Sequence, residues 1–152
     1  MNARRSLPNT PIISAGVIPV YGVKDPEFLL LRVYRYWDFP KGVVEKKEEP
    51  FAAARRELQE ETGLAQVSFP WGSDYFQTEP YSYGKVARYY LGKVESRAVA
   101  LVPNPVTGLV EHHEFRWFKA ADARSRLVPR VAEALDWALD RLQGHSREAG
   151  AG

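Results

Sequence analysis

The segment GVVEKKEEPFAAARRELQEETGL, residues 42–64, carries the charge pattern that decides the fold. Gly63 suits the left-handed residue just past a helix end, so the segment predicts a helix between two loops. In that helix Glu57, Glu60 and Glu61 are spaced i, i+3 and i+4, which places three carboxylates on one face. Exposed like charges at this spacing cost about 0.2–0.5 kcal/mol per pair. The face is therefore either a tolerated solvent-exposed surface or a site for a cation.

The three carboxylates form a hard, oxygen-rich surface, which suits Mg²⁺ or Mn²⁺ better than zinc. Magnesium in proteins usually keeps several waters and bridges carboxylates to the phosphates of a substrate. However, Arg56 lies four residues before Glu60, as it would in a simple surface ion pair. The spacing of the glutamates alone leaves both interpretations open.

The composition is that of an ordinary folded protein and excludes several functional classes. The chain has 152 residues, 45% of them hydrophobic and 26% charged, which favours one domain with its own core. A net charge of +2 is too small to predict nucleic-acid binding through bulk electrostatics. Because the chain has no cysteine, disulfides and thiolate metal sites are excluded, and a cytoplasmic location is expected.

Neither a membrane span nor a signal peptide is expected. No apolar run approaches the roughly 20 residues that span a bilayer, and no apolar segment follows the basic start of the chain. Small and polar residues at the end predict a loose segment. We therefore expect a single domain at residues 12–143, with flexible tails at 1–11 and 144–152. The sequence leaves the oligomeric state open, with a monomer as one possibility.

Hydrophobic patterning predicts strands early in the chain and an amphipathic helix near its end. Strands are predicted as a hairpin at residues 12–21 and 28–34, as a pair around a turn within 74–94, and at 113–118. The second helix is predicted at residues 128–142. Strands combined with helices in this order predict an α+β fold, a mixed β-sheet flanked by helices.

The spacing within residues 42–64 matches a known motif. Gly42 is followed by five free positions, Glu48, seven free positions and the sequence Arg-Glu-Leu-Gln-Glu-Glu-Thr-Gly-Leu at residues 56–64. This is the pattern of the Nudix box, and here the chain resembles the Nudix hydrolases. The box corresponds to a loop, a helix and a loop, which the helix-terminating glycine predicts independently. The number of specified positions favours a functional site over a solvent-exposed face.

The resemblance implies a fold, the α/β/α sandwich of the Nudix family, and a set of metal ligands. Glu57, Glu60 and Glu61 would bind Mg²⁺, or Mn²⁺ as an alternative, and the carbonyl group of Gly42 would supply a further oxygen. Glu111 stands where relatives carry a carboxylate near the metals, and it would act as general base or as another ligand. Bound metal would neutralise a polyphosphate, polarise the attacked phosphorus and lower the pKa of a bound water.

Two further box positions are expected to shape the loop. By the same resemblance Arg56 and Glu48 would brace the loop against the helix, so that Arg56 supports catalysis by holding the ligands in place. Lys47 stands where many relatives carry glycine. A lysine there is costly if the backbone requires a positive φ.

The flanks of the box indicate a substrate class. Residues 27–45, which include WDFPKG, and residues 85–94 and 111–118 resemble the asymmetric diadenosine tetraphosphate hydrolases. This resemblance implies cleavage of diadenosine tetraphosphate to ATP and AMP. The alternatives are removal of pyrophosphate from RNA 5′ ends, whose relatives tend to carry WQFPQGG, then housecleaning of nucleoside triphosphates. A non-catalytic module that senses a nucleotide is an alternative from a different class.

Four residues outside the helix are candidates for contact with a small-molecule nucleotide, which is the expected partner; no membrane or stable nucleic-acid partner is expected. Lys41 and Lys85 would bind phosphate oxygens, and His112 is a further candidate for a phosphate contact. Tyr89 could present its ring to adenine, although its neighbour on the strand would then face the core. His112 and His113 are adjacent and have no third ligand nearby in sequence, so they do not predict a metal site.

Overall fold

Two nine-residue strands form the centre of the sheet in the computed structural model, which describes residues 12–151 of the chain. β1 (Ile13–Tyr21) and β7 (Val86–Val94) run parallel, in continuous register along their whole length. Six shorter strands pair around them: β2 (Glu27–Val33), β3 (Tyr36–Asp38), β4 (Lys41–Val43), β5 (Val67–Ser68), β6 (Tyr75–Gln77) and β8 (Glu114–Lys119).

The strands lie in the order β3-β2-β1-β7-β5, and the other three attach to this path. β4 pairs with β1, β6 with β7 and β8 with β2, all of them antiparallel. Only β1 and β7 form a parallel pair among the named strands, and parallel neighbours require a long crossover. The crossover contains the helix of the box. The prediction of a mixed sheet flanked by helices is therefore confirmed.

The described helices are α1 (Pro50–Thr62), α2 (Ala120–Arg126) and α3 (Pro129–Ala151). α1 begins with Pro50, whose missing N–H has no partner to lose in the first turn. It ends at Gly63, which has a φ of 77° and donates its N–H to the carbonyl of Gln59 at 2.9 Å. Glu49 precedes the helix but makes no side-chain capping hydrogen bond. The ends of α1 are therefore set by Pro50 and Gly63.

The sheet buries apolar side chains on both faces. One face packs against α2 and α3, and Leu30 and Leu135 are fully buried there. The other face packs against α1, where Leu29 and Leu58 are fully buried. Burying one such leucine stabilises the fold by about 1.5–3 kcal/mol. α1 is thus fixed on one face of the sheet, and its acidic side lines a cleft beside β4.

Three features differ from the sequence-based predictions. The connection after β2 contains the short strands β3 and β4, and α2 lies before the last helix. The last helix continues to Ala151, beyond its predicted end at residue 142. The apolar spacing ends at Leu142, but no proline follows to end the helix. The predicted tail at 1–11 lies outside the described residues. None of the helices in the described part of the chain could cross a membrane.

Candidate active site

Arg56 joins the loop before α1 to the acidic face of the helix. Its Nε and Nη2 donate to the carboxylate of Glu48 at 2.8 and 2.9 Å. Its Nη1 donates to Glu57 at 3.0 Å and to Glu60 at 2.8 Å. Glu48 also accepts the backbone N–H of Glu45 at 3.0 Å. The hydrogen bond from Arg56 holds the pKa of Glu48 below its ordinary value, and Glu48 in turn raises the pKa of Arg56.

Gly42 allows the carboxylate of Glu57 to lie against the backbone of β4. A Cβ atom built on Gly42 would be 2.1 Å from both Cδ and Oε2 of Glu57. The strand position is fixed because Gly42 pairs with Ala15 of β1. Any side chain at this position would therefore displace Glu57.

Glu61 is the most buried of the three helix carboxylates, with a side-chain exposure of 13%. Burial, followed by the neighbouring carboxylate of Glu57, raises the pKa of Glu61 to about 10. Its Oε1 lies 3.3 Å from Nε2 of His112 without hydrogen-bond geometry, so the described residues leave this buried oxygen without a hydrogen-bond donor. A buried carboxylate in this state needs either a proton or a cation.

These side chains meet in one cleft between β4, α1 and the loop before β8. Backbone bonds hold this loop on the end of α1: the N–H of Ala100 donates to the carbonyl of Thr62 at 3.1 Å. Negative charge predominates in the cleft because it holds four carboxylates and one lysine. The cleft is lined by Lys41, Glu57, Glu60, Glu61, Val102, Asn104, Pro105, Glu111 and His112.

Asn104 is a site residue that the sequence-based reasoning missed. Its Nδ2 donates to Oε2 of Glu111 at 2.6 Å, and its Oδ1 accepts the backbone N–H groups of Val106 and Thr107 at 2.8 and 3.1 Å. Asn104 thus fixes the loop and Glu111 together. The asparagine between two prolines was a turn signal in the sequence, but turn signals do not identify the side chain that the amide will contact.

Lys41 enters the cleft with its ammonium group beside Asp38, at 3.2 Å from Oδ2. Burial alone would lower the pKa of Lys41, but the carboxylate of Asp38 reverses this and holds the pKa above its ordinary value. A charged lysine in a cleft of carboxylates is suited to bind an anion there.

Tyr89 does not line the cleft, so the prediction that it stacks on adenine is wrong. Its side chain is fully buried, its hydroxyl donates to Oδ1 of Asp38 at 2.9 Å, and its ring packs edge-on against Phe39. Tyr90 points to the opposite face and is buried as well. Both faces of β7 are covered, which leaves neither tyrosine free for a base.

Lys85 also lies away from the cleft. It is exposed in the turn between β6 and β7, where it pairs with Tyr81, and it is not a lining residue. The predicted phosphate contact of Lys85 is therefore not supported by its position. His112 does line the cleft, and burial lowers its pKa below the ordinary value. The adjacent His113 instead accepts the backbone N–H of Tyr34 on Nδ1 at 3.0 Å.

The donor set of the cleft fits a hard divalent cation. It consists of carboxylate oxygens, and Oε1 of Glu61 is buried without a donor. Within the part of the chain that the structure describes, no three acidic or histidine side chains are arranged as a finished metal site. In this structure the guanidinium of Arg56 hydrogen bonds to Glu57 and Glu60.

A cleft of carboxylates that also contains a lysine, built on a helix that flanks a mixed sheet, fits the class of cation-assisted phosphoanhydride hydrolases. The family model of the NUDIX domain matches residues 10–138, which is most of the chain. The chain therefore belongs to the Nudix hydrolase family.

Curated relatives and solved structures extend this assignment. An RNA pyrophosphohydrolase of Roseobacter denitrificans is 31% identical over 121 residues, which cover 72% of this chain and 76% of that protein. A Brucella ovis protein of the same name is 30% identical over 107 residues, covering 61% of this chain and 60% of the relative.

Two solved structures share the fold. A C. elegans Ap4A hydrolase binary complex has a TM-score of 0.66 at 24% identity, covering 91% of this chain and 99% of that chain. The NUDIX domain of Shewanella oneidensis NrtR, complexed with ADP ribose, has a TM-score of 0.63 at 13% identity, covering 95% and 99%. At these identities the likeness shows the fold alone.

Proposed function

We propose that this Nudix hydrolase is Mg²⁺-dependent and cleaves diadenosine tetraphosphate to ATP and AMP. The observation that carries the proposal is the single cleft in which four carboxylates, from α1 and the loop before β8, face Lys41. Such a cleft suits a substrate that is a chain of phosphates, because phosphates need both a cation to offset their charge and fixed donors to orient them.

The carboxylates divide into metal ligands and a proton acceptor. Glu57, Glu60 and Glu61 would hold Mg²⁺, with Mn²⁺ as an alternative, together with the carbonyl group of Gly42. When bound, the metal supplies charge neutralisation and a water of lowered pKa. Glu111, which Asn104 orients, would accept the proton of the attacking water or complete the ligand set.

The remaining residues bind and orient. Lys41 would donate to phosphate oxygens, and His112, which lines the same cleft, would make a second contact with them. Arg56 does not touch the substrate in this proposal. It keeps Glu57 and Glu60 in position through hydrogen bonds of 3.0 and 2.8 Å.

Diadenosine tetraphosphate is favoured by the sequence around the cleft. The resemblance to asymmetric diadenosine tetraphosphate hydrolases extends over residues 27–45, 85–94 and 111–118. A net charge of +2 gives little general attraction for an RNA chain.

Removal of pyrophosphate from RNA 5′ ends is the second candidate. It is favoured by the curated relatives, which are named RNA pyrophosphohydrolases and are 30–31% identical over much of the chain. Against it stands Lys41 in WDFPKG, where relatives with this activity tend to carry glutamine in WQFPQGG. Both candidates use the same cleft, since each substrate presents a polyphosphate on a nucleoside.

A substrate panel tests the proposal. The protein is incubated with Mg²⁺ and, in parallel, with dinucleoside polyphosphates, nucleoside triphosphates and 5′-triphosphorylated RNA, and products are separated by chromatography. We expect the highest kcat/KM for diadenosine tetraphosphate, with ATP and AMP in equal amounts. Preference for RNA would establish the second candidate instead. Tight nucleotide binding without turnover of any substrate would identify a sensing module.

The substitution Glu60→Gln tests the metal assignment. We expect turnover to fall by about 10²–10³-fold, the range for loss of one charge-stabilising group. The melting temperature should change little, because the Glu60 side chain is 42% exposed. Glu133→Gln, an exposed glutamate on α3, is the matched control and should leave turnover unchanged. Full activity in Glu60→Gln would contradict the assignment.

A further inference from the structure

We propose that Asp38 is a positioning residue that holds the ammonium group of Lys41 toward the polyphosphate. The inference rests on the proposed function, since it concerns how that cleft binds phosphates. Asp38 lies at the end of β3, outside the box and outside the set of candidate ligands.

The carboxylate of Asp38 is fixed at both oxygens. Oδ1 accepts the hydroxyl of Tyr89 at 2.9 Å and the backbone N–H of Phe39 at 2.7 Å. Oδ2 lies 3.2 Å from Nζ of Lys41. Because Tyr89 is fully buried, the anchor belongs to the core and does not move with the surface.

The backbone of Lys41 is fixed as well. Lys41 pairs with Gly16 of β1, and a Cβ atom on Gly16 would lie 2.5 Å from Cβ of Lys41. The preceding residue is also held, because the carbonyl of Pro40 accepts the N–H of Val17 at 3.2 Å. The strand thus fixes the backbone of Lys41, and Asp38 fixes the ammonium group at the other end of the side chain.

This arrangement leaves donors available for a ligand. A lysine ammonium has three N–H donors, and the contact with Asp38 uses one of them. Two remain for phosphate oxygens, on a side chain that is 23% exposed and lines the cleft. A free lysine side chain loses rotamer entropy when it is immobilised, so prior fixation by Asp38 reduces the entropy that is lost when the phosphate binds.

A purely structural role for Asp38 fits the charges less well. A carboxylate this close to a cleft that already holds four others repels the phosphate chain. Tyr89 and Phe39 need only a neutral acceptor, which asparagine would also provide. The negative charge of Asp38 instead serves Lys41, whose Nζ lies 3.2 Å from Oδ2.

A double-mutant cycle tests the inference. Asp38→Asn, Lys41→Ala and the double variant are compared with wild type by KM and kcat on the best substrate of the panel. We expect Asp38→Asn to raise KM by about tenfold with kcat nearly unchanged, the signature of lost binding. In the Lys41→Ala background the same substitution should have no further effect, because its partner is absent. Asp25→Asn, which removes another lysine-bound aspartate at 2.8 Å from Lys119, is the matched control.

Equal effects of Asp38→Asn in both backgrounds, or an unchanged KM, would overturn the inference. Should Asp38→Asn fail to fold, the cycle is repeated with Tyr89→Phe, which removes one hydrogen bond to the carboxylate of Asp38. If the effects of Tyr89→Phe and Lys41→Ala on KM are then additive, the inference is overturned as well.

A readout without substrate separates this inference from the proposed function. In ¹⁵N NMR of the lysine ammonium groups, the Lys41 signal is assigned by its loss in Lys41→Ala. We expect it to shift or broaden in Asp38→Asn and to persist in Asp25→Asn. An unshifted signal overturns the inference whatever the activity. A shifted signal in a protein that hydrolyses none of the panel supports the contact and refutes the proposed function.

Discussion

Lys47 adopts a left-handed backbone conformation, with a φ of 67°, in the loop before α1. This conformation costs an L-residue other than glycine about 1–2 kcal/mol. We predict that Lys47→Gly stabilises the protein by about 0.5–1 kcal/mol, because glycine removes that strain while adding some entropy to the unfolded chain. The melting temperature would rise by about 2–4 °C per kcal/mol for a protein of this size.

Lys46→Gly is the matched control for this prediction. Lys46 has an ordinary negative φ, so glycine there offers no relief of strain and should destabilise the protein slightly. The two variants are compared by thermal and urea unfolding. Equal effects of the two substitutions would show that the positive φ at Lys47 carries no cost.

Single residues also show where sequence reasoning succeeds and fails. The spacing of the box glutamates predicted their shared helix face, since helical periodicity is a local property. Local periodicity could not predict whether Tyr89 or Tyr90 is exposed enough to stack on a base. Strand alternation shows only that they face opposite sides, and helices and loops distant in sequence cover both sides.

At the scale of elements, two glycines set the distances between β4, β1 and α1. A Cβ atom on Gly42 would meet the side-chain carboxylate of Glu57 at 2.1 Å, whereas one on Gly16 would meet the backbone carbonyl of Pro40 at 2.3 Å. A side chain can move aside, but a paired strand cannot. The two sites should therefore respond differently to alanine.

We predict that Gly42→Ala preserves the fold and lowers activity by about 10–100-fold, as expected when a ligand is displaced from its position. Gly16→Ala should instead destabilise the protein by about 1–3 kcal/mol, the usual cost of overpacking. Unfolding by urea and kcat/KM for the best substrate are measured for both. Full activity in Gly42→Ala would show that Glu57 does not need its place against β4.

The length of each element and the residues at its ends explain which elements could be predicted from the sequence. The glycine after α1 and the long apolar runs of β1, β2 and β7 indicated these elements in the sequence. β3, β4 and β5 have two or three residues each, too few to show a period, so only pairing with a neighbour defines them. Asn104 belongs to this group, because its role depends on where the loop places Glu111.

At the scale of the whole molecule, Glu61 should make stability depend on pH. Burial raises its pKa from 4.5 to about 10, so the folded protein retains a proton that the unfolded chain releases. The associated stability is fully present below about pH 4.5 and is lost as pH rises toward about 10. We predict that metal-free protein becomes less stable across this window, in urea unfolding followed at several pH values.

Glu61→Gln should reduce this pH dependence and be more stable than wild type at pH 8 without metal, because the neutral amide has no charge to bury. Mg²⁺ should stabilise wild type by preferential binding to the folded state and stabilise the variant much less. Glu133→Gln should behave as wild type. An identical pH profile in Glu61→Gln and wild type would mean that Glu61 is not buried as a proton-bound carboxyl group.

The parallel pairing of β1 with β7 has a consequence for biosynthesis. Strand β1 cannot complete its pairing with β7 until Val94 has been translated, since the two strands pair along their whole length. Contacts this distant along the chain slow folding and leave an apolar strand uncovered in the meantime. The acidic motif also depends on this sheet, because β4 beside Glu57 is held by its pairing with β1. The motif transplanted into a scaffold without such a sheet would therefore lack the site.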